Sequence, residues 1–171
     1  MVRAGEVTPA EEEVFRGAND APEGFRIPVR TLMQMGTFGT VPAVAALALL
    51  LGRRRLAAAV AVGGTAAWLL AKQAKPLGGR ARPAAVLPDV RIREGIAGDL
   101  GWVSGHTAVA TTIACVSWDA APAWARPLLV AGVATTAFGR MYVGAHLPLD
   151  LVGGAGLGLV VSSLARGLAG E

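Results

Sequence analysis

Long runs without any ionisable side chain constrain the fold of this chain more than any other feature. Residues 36–52, 56–71, 127–139 and 151–165 contain no Asp, Glu, Lys, Arg or His. Hydrophobic residues make up 53% of the chain and charged residues only 16%, which is too little charge for the surface of a soluble globular protein. The sequence therefore predicts an integral membrane protein.

The apolar runs predict an all-α, multi-pass transmembrane helical bundle of about five spanning helices. The first two runs form a helical hairpin around a basic turn, Arg53, Arg54 and Arg55. Each run is somewhat shorter than the roughly 20 residues that span a bilayer, but arginines at the ends can snorkel and lengthen the span. The remaining helices are predicted over residues 104–118, 124–142 and 148–168.

The sequence divides into a polar N-terminal segment, residues 1–30, and a membrane domain, residues 31–171. The pattern over residues 11–20 is compatible with an amphipathic helix lying on the membrane surface, and equally with a solvated tail. Its acidic residues, Glu11, Glu12 and Glu13, stand where a signal peptide would need an apolar core, so no signal peptide is expected.

The net charge of +4 does not indicate a nucleic-acid partner. The basic residues flank the apolar runs, as Lys and Arg do at membrane boundaries, and they form no basic stripe on one face. The only cysteine, Cys115, excludes an intrachain disulfide. The oligomeric state stays open.

One short segment, residues 139–150, places Arg140, His146 and Asp150 between two uncharged runs. Ionisable groups at membrane depth are costly and usually functional. A carboxylate four residues after a histidine can accept its Nδ1 proton and leave Nε2 free as a nucleophile. We therefore interpret this segment as the centre of a functional site.

Arg140 cannot share one straight helical face with His146, six residues later. We expect a bend, marked by Gly144 and Pro148, that brings the two side chains together. Proline at 148 also suits the first position of a new helix. Counting turns through five helices places this segment and the basic loop over residues 72–103 at the same membrane surface, opposite the three-arginine turn.

The basic loop contributes Lys75 and Arg82, and both side chains are suited to binding a phosphate. Lysine offers a point charge, and arginine offers a planar fork for bidentate hydrogen bonds. In isolation such residues are more often topology signals. At the next helix start, Ser104 is a good N-cap, and Gly105 lets an anion approach the exposed backbone N–H groups. His106 on the first turn would face that anion, although a lone histidine near a helix end is more often a satisfied surface residue.

Three motifs in this order resemble the signature of the type 2 phosphatidic acid phosphatase superfamily. They are K-x6-R-P beginning at Lys75, S-G-H beginning at Ser104, and R-x5-H-x3-D beginning at Arg140. The superfamily holds membrane lipid phosphatases, among them undecaprenyl diphosphatases, as well as soluble acid phosphatases and vanadium haloperoxidases. Two positions depart from the usual pattern, with Val103 in place of proline and Gly139 in place of serine.

The resemblance implies a metal-independent phosphatase without a cofactor. His146 would be the nucleophile that forms a phosphohistidine, and Asp150 would orient it. His106 would protonate the leaving group and then activate water. The groups that would hold the phosphoryl oxygens and stabilise the transition state are Lys75, Arg82, Ser104, Gly105 and Arg140.

A phosphate site at the mouth of an apolar bundle indicates a lipid substrate surrounded by membrane lipids. Candidates are an isoprenyl diphosphate, phosphatidate, phosphatidylglycerol phosphate and a polyprenyl-phosphosugar phosphate. If the three-arginine turn marks the cytoplasm, the site faces outward, whereas a plain count of Lys and Arg favours the reverse; we expect the outward orientation. Two alternatives are a non-catalytic membrane subunit with the same fold and a vanadate-dependent haloperoxidase-like enzyme.

Overall fold

The computed structural model describes residues 6–95 and 98–169. The regular elements in these parts of the chain are all helices, with a single isolated bridge between Ala81 and Leu100 in place of any sheet. The predicted all-α class is confirmed. The helices are α1 (Pro9–Asn19), α2 (Arg26–Met33), α3 (Thr40–Leu50), α4 (Arg54–Gly78), α5 (Pro83–Val86), α6 (Gly105–Ser117), α7 (Arg126–Tyr142) and α8 (Pro148–Ala169).

The centre of the bundle is formed by α4, α6 and α8, which approach closely through small residues. A side-chain carbon placed on Gly63 of α4 would lie 3.0 Å from the Cβ of Ala165, and one placed on Gly158 of α8 would lie 2.6 Å from the carbonyl oxygen of Ala108. Glycines of this kind let helices pack with their backbones nearly in contact. The buried cluster that results includes Val60, Ala67, Val109 and Val161.

Helix α4 is longer than the sequence predicts, because the expected loop from residue 72 begins only at Gly79. Pro76 lies inside the last turn of α4, where its missing N–H removes a single helical hydrogen bond. The helix ends at Gly79, which adopts φ +56° and donates its N–H to the carbonyl oxygen of Lys75 at 3.1 Å. Lys75 is therefore held on a helix rather than on a loop.

Within the described residues, two helices are long and apolar enough to cross a membrane, Arg54–Gly78 and Pro148–Gly167, as expected of a membrane protein. A third span would combine Glu23–Gly36 with Thr40–Leu50, which meet at a bend of 66°. The predicted count of about five spans is not confirmed. With 13 residues, α6 reaches only about 20 Å, against a hydrocarbon core of about 30 Å.

Residues 6–30 of the N-terminal segment are folded onto the bundle, so the solvated-tail alternative is wrong for them, whereas residues 1–5 lie outside the described part of the chain. Helix α1 contacts α7 and α8, and both Phe15 and Glu11 are buried there. Asn19 at the end of α1 donates from Nδ2 to the carbonyl oxygens of Met141 and Tyr142, at 3.2 and 3.1 Å. The predicted helix is thus present, whereas its placement at a membrane interface stays a prediction.

The two ends of the bundle carry the segments that the sequence assigns to them. At one end, Arg53 from the three-arginine turn donates a hydrogen bond to the carbonyl oxygen of Ala120 in the connection between α6 and α7. At the other end, Lys75 on the last turn of α4 lies beside the segment 100–103 that precedes α6. We call the latter the cavity end.

Candidate active site

A cavity of about 240 Å³ opens at the cavity end of the bundle. Six of the eight predicted site residues line it: Lys75, Arg82, Gly105, His106, Arg140 and His146. The other lining residues are Gly36, Phe38, Trp68, Ala71, Lys72, Glu94 and Gly95. Segments that are far apart in the sequence therefore share one concave surface.

His146 and Asp150 form a buried pair at the base of the cavity. The His146 Nδ1 atom lies 3.3 Å from Oδ2 of Asp150, and the same oxygen accepts the N–H of Leu147 at 3.0 Å. The N–H of Leu147 thus fixes the carboxylate oxygen, and that oxygen orients the imidazole ring through Nδ1 and leaves Nε2 as the nitrogen available for chemistry.

Burial keeps the His146 imidazole neutral. Desolvation lowers the pKa of His146 to about 4, although the hydrogen bond to Asp150 acts in the opposite direction. The residue lies in the connection between α7 and α8. A neutral imidazole at physiological pH has a free lone pair, as a nucleophile requires.

The predicted bend between Arg140 and His146 is present. Helix α7 ends at Tyr142, Gly144 adopts φ +78°, and α8 begins at Pro148. The backbone N–H of His146 donates to the carbonyl oxygen of Arg140 at 3.2 Å. The turn thus folds back on the last turn of α7, and both side chains reach the cavity.

Arg140 is buried and only partly satisfied. Its Nη1 donates to Oε2 of Glu94 at 3.0 Å, whereas its buried Nε has no hydrogen-bond partner among the described residues. An unused donor on a buried guanidinium is costly without an acceptor.

Backbone carbonyls position the two cations of the first motif. Lys75 Nζ donates to three carbonyl oxygens of the segment 100–103, at 3.2 to 3.3 Å. Arg82 donates to the carbonyl oxygens of Gly98 and Ala145, at 2.7 and 2.8 Å, and burial lowers its pKa. Carbonyl dipoles orient a cation without cancelling its charge, so the cavity wall stays positive.

Ser104 and its neighbours begin α6 at the cavity. Ser104 is the N-cap: its Oγ accepts hydrogen bonds from the backbone N–H and the hydroxyl of Thr107, at 3.4 and 3.1 Å. Its side chain is fully buried and is not among those that line the cavity, whereas Gly105 and His106 are. The capping prediction is confirmed, and the predicted contact of Ser104 with phosphate stays a prediction.

The close packing of α2 against α7 explains why residue 139 is a glycine. A side-chain carbon placed there would lie 2.7 Å from the Cβ of Met33 and 3.3 Å from a methyl carbon of Val29, both on α2. A serine at this position would therefore meet α2. Glycine at 139 allows α2 to pack against α7.

Arg80 and Glu11 are site residues that the sequence reasoning missed. Arg80 is buried and pairs with Glu11 and with Asp150. Burial lowers the pKa of Arg80, but hydrogen bonds to the two carboxylates more than offset this and raise it. Glu11 lies outside the three motifs, and Arg80 occupies one of the unspecified positions of K-x6-R-P. A long-range pair between the N-terminal segment and the loop leaves no periodic signal in the sequence.

A family model described as the PAP2 superfamily matches residues 54–169. The chain belongs to the PAP2 superfamily. The match includes all three motifs, so the resemblance seen in the sequence is confirmed. It begins after α3, and α1, which carries Glu11, lies outside it.

Two solved structures share the PAP2 fold of this chain. The crystal structure of Aquifex aeolicus LpxE is 22% identical, covers 96% of this chain and 98% of its own, and has a TM-score of 0.84. The crystal structure of a transmembrane PAP2 type phosphatidylglycerolphosphate phosphatase from Bacillus subtilis is 18% identical, covers 92% and 83%, and has a TM-score of 0.68. A comparison with curated proteins gives no match.

No group of three or more His, Cys, Asp or Glu side chains within residues 6–95 and 98–169 is arranged to hold a metal ion. The metal independence of the reaction stays a prediction, which chelation tests directly.

Proposed function

We propose that this PAP2 protein is a lipid phosphatase that hydrolyses a phosphate monoester or diphosphate on a membrane lipid through a phosphohistidine. Its membership of the superfamily supports a phosphoric ester hydrolase. The observation that carries the finer proposal is the His146–Asp150 pair on a cavity that Lys75, Arg82 and Arg140 also line.

The first chemical step is transfer of the phosphoryl group to His146. Its Nε2 attacks phosphorus, and the bond from phosphorus to the lipid oxygen breaks. His106 lines the same cavity, and a bound phosphate dianion favours its protonated form. His106 then gives that proton to the departing oxygen. Asp150 accepts a hydrogen bond from Nδ1–H of His146 and stabilises the positive charge that develops on the ring.

The second step is hydrolysis of the phosphohistidine. His106, now neutral, removes a proton from a water molecule that attacks phosphorus. The bond from phosphorus to Nε2 breaks, inorganic phosphate leaves, and His106 is again protonated. One water molecule is consumed, and both histidines return to their starting states.

The cations and the start of α6 stabilise the charge of the transferred group. Lys75, Arg82 and Arg140 line the cavity that the phosphoryl group would occupy. The N-terminus of α6 at Gly105 adds backbone N–H groups and the positive end of a helix dipole. Such preorganised donors are often the largest contribution to catalysis.

The surroundings of the cavity favour a lipid over a soluble phosphate ester. Phe38 and Trp68 form an aromatic pair at its rim with ring centroids 4.6 Å apart, and Lys72 lies 3.5 Å from the Trp68 ring centroid. Leucines on α4 nearby, Leu69 and Leu70, are exposed, as side chains in contact with acyl chains are. The phosphate would thus enter the cavity while the lipid tail stays in the bilayer.

The proposed topology is multi-pass with the cavity on the extracytoplasmic side. Arg53, Arg54 and Arg55 lie at the opposite end of the bundle, where a basic turn is typical of the cytoplasmic face. Substituted-cysteine labelling in intact cells tests this, because a cysteine placed at Arg54 should be shielded from a membrane-impermeant maleimide. Labelling of that position in intact cells would reverse the proposed orientation.

The deciding experiment measures phosphate release from lipid phosphates in detergent. The panel contains phosphatidylglycerol phosphate, a substrate class suggested by the name of the Bacillus subtilis structure, together with phosphatidate and isoprenyl diphosphates. The wild type should release phosphate with EDTA present, and His146→Ala should not. Activity in His146→Ala would exclude the nucleophile, loss in EDTA would exclude a metal-free reaction, and no release from any lipid would favour a non-catalytic subunit.

A further inference from the structure

A buried chain of charged groups links the N-terminal helix to the proposed nucleophile. Glu11 on α1 binds both terminal nitrogens of Arg80, with Oε1 2.9 Å from Nη1. Arg80 Nη1 also donates to Oδ1 of Asp150 at 3.2 Å, and Oδ2 of Asp150 holds His146. The side chains of Glu11, Arg80 and Asp150 are 4%, 7% and 0% exposed, respectively, so solvent screens these contacts little.

The two oxygens of Asp150 have separate partners. Oδ1 is held by Arg80, whereas Oδ2 is held by the N–H of Leu147 and faces Nδ1 of His146. A carboxylate fixed at both oxygens cannot rotate away from the imidazole. Arg80 thereby determines which way the plane of the carboxylate faces.

Glu11 has a similar effect on Arg80 and on the start of α8. Its Oε1 accepts the backbone N–H of Leu149 at 3.0 Å, one of the first N–H groups of α8, which have no partner within the helix. Its bidentate contact fixes the plane of the Arg80 guanidinium. Glu11 therefore holds both the residue that orients Asp150 and the helix that carries Asp150.

Both Glu11 and Arg80 are also needed to keep Asp150 ionised and able to accept the proton of His146. Without Glu11, the full charge of Arg80 would fall on Asp150 and weaken that carboxylate as a proton acceptor for His146. Without Arg80, two buried carboxylates would lie close together without a cation, which favours protonation of one of them. Either change reduces the population of a correctly oriented, ionised Asp150.

We propose that Glu11 and Arg80 are positioning residues for catalysis, which act on His146 through Asp150. Helix α1, which lies outside the residues matched by the family model, thereby completes the active site. The inference rests on the proposed phosphohistidine reaction and adds two residues that the three sequence motifs do not specify.

The test compares Glu11→Gln with Glu12→Gln in the lipid phosphatase assay, each alone and with Asp150→Asn. Glu12 is a matched control, because it lies on the same helix and pairs with Arg16 away from the cavity. Glu11→Gln should lower kcat about 10- to 100-fold with KM unchanged, and Glu12→Gln should leave both unchanged. In the Asp150→Asn background, Glu11→Gln should cause no further loss, because residues that act through one group are not additive.

A folded Glu11→Gln variant with wild-type kcat, a loss confined to KM, or an additive loss with Asp150→Asn would overturn the proposal. If Glu11→Gln does not fold, Arg80→Lys tests the same link, because lysine keeps the charge but has no planar fork. A fall in kcat at constant KM in Arg80→Lys supports the positioning role, and a wild-type kcat overturns it.

A spectroscopic readout separates this inference from the proposed function. The Nδ1 proton of a histidine bound to a carboxylate can be followed by NMR, using the wild type and Asp150→Asn to assign it. If no lipid releases phosphate, the phosphatase proposal fails. Loss of the His146 signal in Glu11→Gln still supports positioning, and an unchanged signal overturns it.

Discussion

Nδ1 of His146, two residues before α8, lies 3.3 Å from Oδ2 of Asp150 in the first turn of that helix. In Asp150→Asn the amide can no longer stabilise a positive imidazole, and it can favour the wrong tautomer. We expect kcat to fall by about 10³- to 10⁴-fold, by analogy with carboxylate-to-amide changes beside catalytic histidines, with a smaller change in KM. Steady-state phosphate release measures both constants.

A matched control for this change is Asp119→Asn. Asp119 lies at the opposite end of the bundle, beside the three-arginine turn, so the variant loses the same charge away from the cavity. Its kcat should equal that of the wild type. An equal fall in kcat in the two variants would mean that the loss of net charge, rather than the loss of the contact with His146, lowers kcat.

Arg140 should contribute through geometry as well as charge. Arg140→Lys keeps the charge but removes the unused Nε and the planar fork. We expect binding of inorganic phosphate or vanadate, measured as competitive inhibition, to weaken about tenfold, the equivalent of roughly one charge-assisted hydrogen bond. Arg126→Lys, at the other end of the same helix α7, is the control, and an equal effect there would contradict a direct contact.

The sequence predicts the features of this fold that depend on nearby residues, and it does not predict those that depend on contacts between distant residues. Uncharged runs locate α3, α4, α7 and α8, because burial or lipid contact imposes a composition that can be read locally. Pro76 obscured the end of α4, since a proline in the last turn removes too little hydrogen bonding to end the helix. Neither periodicity nor composition could reveal that Glu11 meets Arg80, which is 69 residues away.

The candidate site shows the same division. The motifs identify six residues that line one cavity, since chemistry restricts residue type as well as position. Ser104 illustrates what the motifs leave out, because its hydroxyl is engaged in capping α6 and not in lining the cavity. Gly139 shows a second omission, since its need for a small side chain comes from Met33, over 100 positions earlier in the chain.

The stability of the protein should depend on pH through His146. Its folded-state pKa of about 4 lies below the value of about 6.5 for an unfolded histidine, so the unfolded chain binds the proton more readily. The stabilisation is fully present above about pH 6.5 and is lost as the pH falls from there to about 4, by up to about 3 kcal/mol. Thermal unfolding in detergent at pH 7 and pH 5 measures it.

His146→Gln isolates this contribution, because glutamine cannot titrate. The fall in Tm between pH 7 and pH 5 should be smaller in His146→Gln than in the wild type. The same fall in both proteins would mean that other groups cause the pH dependence.

The packing of α2 on α7 predicts that Gly139→Ser is destabilising. The added carbon would approach the Cβ of Met33 to 2.7 Å, so one helix must shift, at a cost of about 1–3 kcal/mol. Thermal unfolding in detergent should show a lower Tm. Met33→Ala in the same chain should recover part of the loss, since it removes the Sδ atom that lies 3.1 Å from the added carbon.

The control for Gly139→Ser is Gly156→Ser on α8, where an added carbon meets no atom within 4 Å. This variant should unfold at nearly the wild-type temperature, because only intrinsic helix propensity changes, and serine is slightly favoured over glycine. Equal destabilisation of the two variants would refute the packing explanation. A raised kcat in Gly139→Ser without loss of stability would instead show that the serine reaches the phosphate, and that α2 moves aside without cost.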